Sequence, residues 1–120
     1  MTERPSSNLP AFETKHSGDK VAFATGALRE NKVDKLRFDL IPPIMLERLA
    51  GIYTRGARIY GDRNWEKGIP YSSLIASAWR HFIAMLRGAT DEDHAAAVIW
   101  NITAMMYFDE KGRKEELDDR

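Results

Sequence analysis

A chain of 120 residues is long enough for one domain and too short for two of ordinary size. Its 18 basic and 18 acidic side chains cancel, which excludes the strongly basic signature of a protein that binds long nucleic acid non-specifically, and the lack of cysteine excludes a disulfide framework, a thiolate zinc site and a cysteine nucleophile. Hydrophobic residues make up 43% and no apolar run approaches the roughly 20 residues of a membrane helix, so a soluble, cytoplasmic protein with no membrane partner is expected.

Residues 1–17 are polar, contain Pro and Ser and show no apolar period, so a disordered tail is expected there. In GDKVAFATGALREN (18–31), the apolar stretch from Val21 to Leu28 is broken by Gly26 and is too brief for an independent helix. It reads as an extended or turn-like arm packed on the body. In KLRFDLIPP, Leu36, Phe38 and Leu40 alternate with polar neighbours before two prolines. Proline stops the preceding element and suits the first turn of a new helix, so a helix is predicted from Pro43 to Tyr60, ended by Gly61. Met45, Leu49, Ile52, Tyr53, Gly56, Ile59 and Tyr60 recur at three- and four-residue spacing and form its apolar stripe. GDRNWEKGIP is a loop by its turn residues. A second helix is predicted over Tyr71–Arg87, capped by a preceding loop residue and closed by Gly88, with Ile75, Trp79, Phe82 and Leu86 as its apolar arc. A third is predicted from Asp91 to Glu110, and RKEELDDR (113–120) reads as a polar, solvated tail.

These elements make an all-α bundle of three main helices over residues 18–112 with an extended N-terminal arm. Trp79, Phe82, Trp100, Met105, Met106, Tyr107 and Phe108 spread over more than one face, so a homo-oligomer (dimer or tetramer) is expected to cover the surplus.

The zero net charge hides a division. Residues 41–90 hold seven basic and three acidic side chains, net +4, whereas residues 91–120 hold four basic and nine acidic, net −5. Either the halves bind ligands of opposite sign, or they attract each other, or the acidic excess is a frayed tail, with Glu110, Glu115, Glu116, Asp118 and Asp119 holding five of the nine acids.

Three groups of residues carry candidate chemistry. Asp91, Glu92, Asp93 and His94 open the third helix; carboxylates and an imidazole at this spacing suit a hard divalent cation, Mg²⁺ or Mn²⁺. The competing reading is an N-terminal cap, with Thr90 as the capping residue and Asp93 three residues on. His81 borders the apolar arc of the second helix; it is either a boundary residue or, because the short 2–3 connection forces antiparallel helices, a neighbour of the Asp91–His94 turn. Arg55, Arg58, Tyr60, Arg63, Asn64, Trp65 and Lys67 interleave cations with rings, which suits phosphate and base; the alternative is a solvated basic face with Trp65 plugging the core. Glu47 falls opposite the apolar stripe of the first helix and is expected to be exposed. Asn101 is open to two readings, a base-reading amide or a buried amide between helices.

The segments FATGALR, KLRFDLIPP, YTRGARIYGDRNWEKGIPYS, SAWRHFIAMLRG and DEDHAAAVIWN resemble, in this order, the phage and bacterial dATP/dGTP diphosphohydrolase family, in its N-terminal-type domain. The likeness runs from about Gly18 to Tyr107. It implies hydrolysis of a purine dNTP to the monophosphate and pyrophosphate with a divalent metal, in the manner of the oligomeric all-α pyrophosphohydrolases. Glu47, Arg58, Tyr60, Gly61, Arg63, Asn64, Trp65, Arg80, His81, Asp91, Glu92, Asp93, His94, Trp100 and Asn101 fall on the family's recurring positions. One departure stands out. The Glu-x-x-Glu metal motif of the wider all-α group is absent, and Glu-x-x-Asp occurs only as Glu115/Asp118 and Glu116/Asp119.

The expected site therefore has Asp91, Asp93 and His94 as metal ligands, with Asp91, His94, His81 and Glu47 as catalytic groups. Arg58, Tyr60, Arg63, Asn64, Trp65, Lys67, Arg80 and Asn101 are expected to bind the nucleotide. The alternative is a helical phage accessory module that binds a nucleotide or a protein partner without turning it over.

Overall fold

Two prolines set the start of the first helix. In the computed structural model, which describes residues 20–30 and 35–120, α1 runs Pro43–Tyr60, with Pro42 at its N-cap and Pro43 at N1. The expected tail at 1–17 lies outside the described residues. Gly61, at φ +95°, ends α1 by donating its N–H to the Ala57 carbonyl. A 3-10 turn at Asn64–Lys67 leads into α2 (Tyr71–Leu86), which Gly88 closes at φ +78°. α3 spans His94–Glu110 and a short α4 spans Lys114–Leu117.

The chain divides into two units, and the arm belongs to the unit ending at Ile41. There β1 (Lys20–Ala22) pairs antiparallel with β2 (Leu28–Glu30), Val21 opposite Arg29, through a turn at Gly26. The alternating LRFDL stretch is not a strand; it forms a 3-10 turn at Phe38–Leu40, where Arg37 grips Asp39 with two hydrogen bonds of 2.7 and 2.8 Å.

In the helical unit, α2 and α3 run antiparallel. Tyr71 is buried at the first residue of α2, and its hydroxyl meets the Met105 carbonyl and Asp109 near the end of α3. Burial, together with the Asp109 hydrogen bond, pushes the Tyr71 hydroxyl well above its ordinary value. Tyr71, Leu74, Ala104, Phe108 and Leu117 form the core, with Trp65, Ile75 and Trp100 packed against it. The architecture is an all-α bundle, as expected.

Two termini differ from expectation. α3 starts at His94 rather than Asp91, and its N-cap is Asp93, whose carboxylate accepts the Ala96 N–H at 3.2 Å, rather than Thr90. Residues 113–120 are ordered against the bundle instead of solvated: Leu117 enters the core and Asp119 accepts both the Ser72 N–H (2.8 Å) and hydroxyl (2.6 Å). That contact caps α2, whose own N-cap, Pro70, offers no side-chain oxygen. Arg113 meanwhile donates to the carbonyls of Glu66 (2.8 Å) and Lys67 (2.9 Å). Gly68 makes room for it, since a Cβ there would lie 2.6 Å from the guanidinium.

Within the helical unit, Trp79, Phe82 and Leu86 of α2 and Ile102 and Met106 of α3 are exposed, beside an apolar groove of about 430 Å³ between the helices.

Candidate functional site

α1 organises the site through two arginines seven residues apart, a spacing that puts both on one side of a helix. Arg48 holds Asp93 in a two-pronged ion pair at 2.6 and 2.9 Å, and Arg55 reaches Glu92 at 3.3 Å. The basic middle and the acidic end thus attract each other, and the two contacts fix the turn that precedes α3. The Arg48 guanidinium holds the Asp93 carboxyl below its usual range.

That turn presents a cluster. Asp91, Glu92 and His94 each offer a ligand atom, all within 4.8 Å of one another. His94 is 7% exposed, and both of its ring nitrogens are occupied: Nε2 meets Asp91 Oδ1 at 2.8 Å and Nδ1 meets His81 Nδ1 at 2.8 Å. A carboxylate oxygen only accepts, so Nε2 carries the proton toward Asp91. The neutral ring then accepts at Nδ1 from His81 Nδ1–H, which leaves the lone pair of His81 on its Nε2. The hydrogen bond from His94 also holds the Asp91 carboxyl below its ordinary value. Antiparallel packing of α2 and α3 makes this Asp91–His94–His81 chain possible, as the short connection implied.

Beside the cluster lies a cavity of about 820 Å³, within the range of small-ligand sites. Glu92 and His81 belong to its wall, so cluster and cavity are continuous. Arg55, Tyr60, Arg63 and Asn64 contribute from α1 and the adjoining loop, and Asn101 and Ser77 from the α2–α3 floor. Arg63 adopts a left-handed backbone at φ +56°, unusual for a non-glycine residue and found preferentially at functional loops.

The sequence-predicted residues separate into groups. Asp91, His94 and His81 come together. Tyr60, Arg63, Asn64, Trp65 and Asn101 line the cavity. Trp65 does so from inside an aromatic cluster, with its ring 4.8 Å from Tyr107 and 5.9 Å from both Tyr53 and Trp100, so the core-plug reading describes its packing. Tyr60, by contrast, is exposed. Asp93 stands outside the Asp91–Glu92–His94 group, engaged by Arg48 and the α3 N-terminus. Glu47, Arg58, Lys67 and Arg80 are exposed and outside the cavity wall. Glu92, part of the acidic run that suits a divalent cation but absent from the expected ligand set, takes the place expected for Asp93 in the cluster. Sequence reasoning does not give Arg48 and Ser77 their roles, because they act through contacts 45 and 24 residues away in the chain.

Fold and site together define a small all-α protein with a carboxylate–imidazole cluster opening on a cavity lined by arginine and tyrosine. The chain belongs to the dATP/dGTP diphosphohydrolase family, whose N-terminal domain model it matches over residues 25–120. No curated protein and no solved structure matches it significantly.

Proposed function

We propose that the protein is a divalent-metal-dependent dNTP diphosphohydrolase that converts dATP or dGTP to the monophosphate and pyrophosphate. The observation that carries this reading is the continuity of the Asp91–Glu92–His94 donors with the cavity, through Glu92. Two carboxylates and one imidazole converging within 4.8 Å fit Mg²⁺ or Mn²⁺. Such an ion supplies charge neutralisation at the phosphates and Lewis acidity toward water. His94 would hold the ion through Nε2 in place of its contact with Asp91, and its ring proton would then sit on Nδ1, facing His81.

The chain's own residues do the rest. Arg63 and Arg55 border the cavity and neutralise phosphate charge, while the exposed ring of Tyr60 offers a stacking surface for the base. His94 orients His81 through the 2.8 Å contact between their Nδ1 atoms, and His81, in the cavity wall, is the group placed to exchange a proton with a bound substrate or water. Asp93 and Arg48 position the turn without touching substrate. Covering the exposed α2–α3 face with a second copy completes the reading as a homo-oligomer.

Purified protein incubated with each of dATP, dGTP, dCTP and dTTP and Mg²⁺ tests this by pyrophosphate release. Release from the purine nucleotides, abolished by Asp91→Ala, supports the assignment. Nucleotide binding without release for any of them makes the chain an accessory module and ends the enzymatic reading.

A further inference from the structure

Asn101 is 4% exposed, yet its amide is only half used by the protein. Its Nδ2 lies 2.8 Å from the Ala97 carbonyl and 3.2 Å from the Ser77 hydroxyl. A carbonyl only accepts, so the atom facing Ala97 must be the amide nitrogen, and this fixes which way the side chain is turned. Both amide hydrogens are thereby consumed. Oδ1 receives no hydrogen bond from any described residue, and no side-chain oxygen or nitrogen among them is both buried and unpaired. Oδ1 is therefore accessible, and the accessible space at Asn101 is the cavity it helps to line. Ser77 complements it: its hydroxyl accepts from Asn101 and donates to no described group, so its proton is free.

We propose that Asn101 and Ser77 read the edge of the nucleobase, Oδ1 accepting an amino or ring N–H and the Ser77 hydroxyl donating to the neighbouring ring nitrogen or carbonyl oxygen. Adenine and guanine each present such a donor beside an acceptor, as do cytosine and thymine, so the pair recognises a base edge in general. This rests on the reading of the cavity as a nucleotide site and adds residues that engage the base. Because the amide hydrogens are tied to α3 and α2, Asn101 cannot rotate to present a donor instead. The pair accordingly rejects a base that lacks an N–H, which would leave Oδ1 unpaired in a nearly buried place.

The test measures binding to the full chain with Mg²⁺ by calorimetry for dATP, for the deoxynucleoside triphosphate of unsubstituted purine, and for inorganic tripolyphosphate. The unsubstituted base keeps the ring and the phosphates and lacks every base N–H. Wild-type protein is expected to bind it at least tenfold more weakly than dATP. Ser77→Ala, a substitution favourable to a helix interior, is expected to weaken dATP several-fold and leave tripolyphosphate unchanged. Equal affinity for dATP and the unsubstituted purine, or an equal loss for tripolyphosphate in Ser77→Ala, overturns the base-reading role while leaving a triphosphate site in place. Failure of all three ligands to bind overturns the nucleotide reading itself and this inference with it.

Discussion

Replacing Asp93 by alanine separates structural from metal-binding roles in the acidic turn. The carboxylate performs two tasks: it caps α3 through the Ala96 N–H at 3.2 Å, and it pairs with Arg48 at 2.6 and 2.9 Å. Loss of a cap costs about 1 kcal/mol. The pair is two-pronged, but the Arg48 side chain is 51% exposed and that of Asp93 30%, so solvent screening leaves the cap as the larger contribution. Asp93→Ala should therefore lose at least the cap, about 1 kcal/mol, lowering Tm by about 3–6 °C for a chain of this size. Asp93→Asn keeps an oxygen for the Ala96 N–H and loses only the charge, so a clearly smaller loss is expected, and Arg48→Met should match it. Urea denaturation of the three variants, with the Arg48→Met/Asp93→Asn double, measures the terms. Equal destabilisation by Asn and Ala would refute the capping role. A Mn²⁺ affinity in Asp93→Asn more than a few-fold below wild type would return Asp93 to the ligand set.

Three further outcomes are expected. Leu117→Ala should cost about 2–3 kcal/mol in urea denaturation because the side chain belongs to the core, whereas a solvated tail would show no change. Arg63→Asn should leave Tm level or slightly higher, since Asn tolerates the left-handed backbone, while dNTP affinity falls about tenfold in titration; unchanged affinity would remove Arg63 from the phosphate contacts. The carboxyls of Asp91, Asp93 and Asp119 sit below their ordinary range, and that of Asp118 is lowered to about 2 by Arg120. The unfolded chain therefore binds more protons in acid: these pairs stabilise fully above pH ~4, and the benefit disappears as pH falls toward ~2. Tm should be level above pH ~5 and drop below ~4, and a Tm that stays level down to pH ~2 would show that the pairs contribute nothing.

The range of each interaction decides how far the sequence makes it legible. α1 is readable to the residue at both ends because Pro42–Pro43 and Gly61 act on the backbone locally. α2 is equally plain in extent, but its cap is not: Asp119 lies 47 residues from Ser72, and no local pattern points to it. The same reason hides the ordering of residues 113–120, where a charged stretch with a single leucine looks solvated until Leu117 meets the core. The start of α3 is misplaced by sequence reasoning because Thr90 and Asp93 are both competent caps, and a contact from Arg48, 45 residues away, favours Asp93. His81 is drawn toward Asp91–His94 correctly because a short connection forces antiparallel helices. Trp65 is ambiguous for a different reason: a ring in a turn-rich loop looks the same whether it stacks on a ligand or on Tyr107.

The most direct test of the metal-dependent reading is Mn²⁺ binding by electron paramagnetic resonance in the presence of dATP, comparing wild type with Asp91→Asn, Glu92→Gln and His94→Gln. Each substitution keeps a polar side chain of similar size while removing a ligand atom or its charge. Wild type should hold Mn²⁺ at the cluster, each variant should bind it at least tenfold more weakly, and pyrophosphate release should fall in parallel. Undiminished Mn²⁺ affinity in all three variants would contradict the assignment of Asp91, Glu92 and His94 as the metal site.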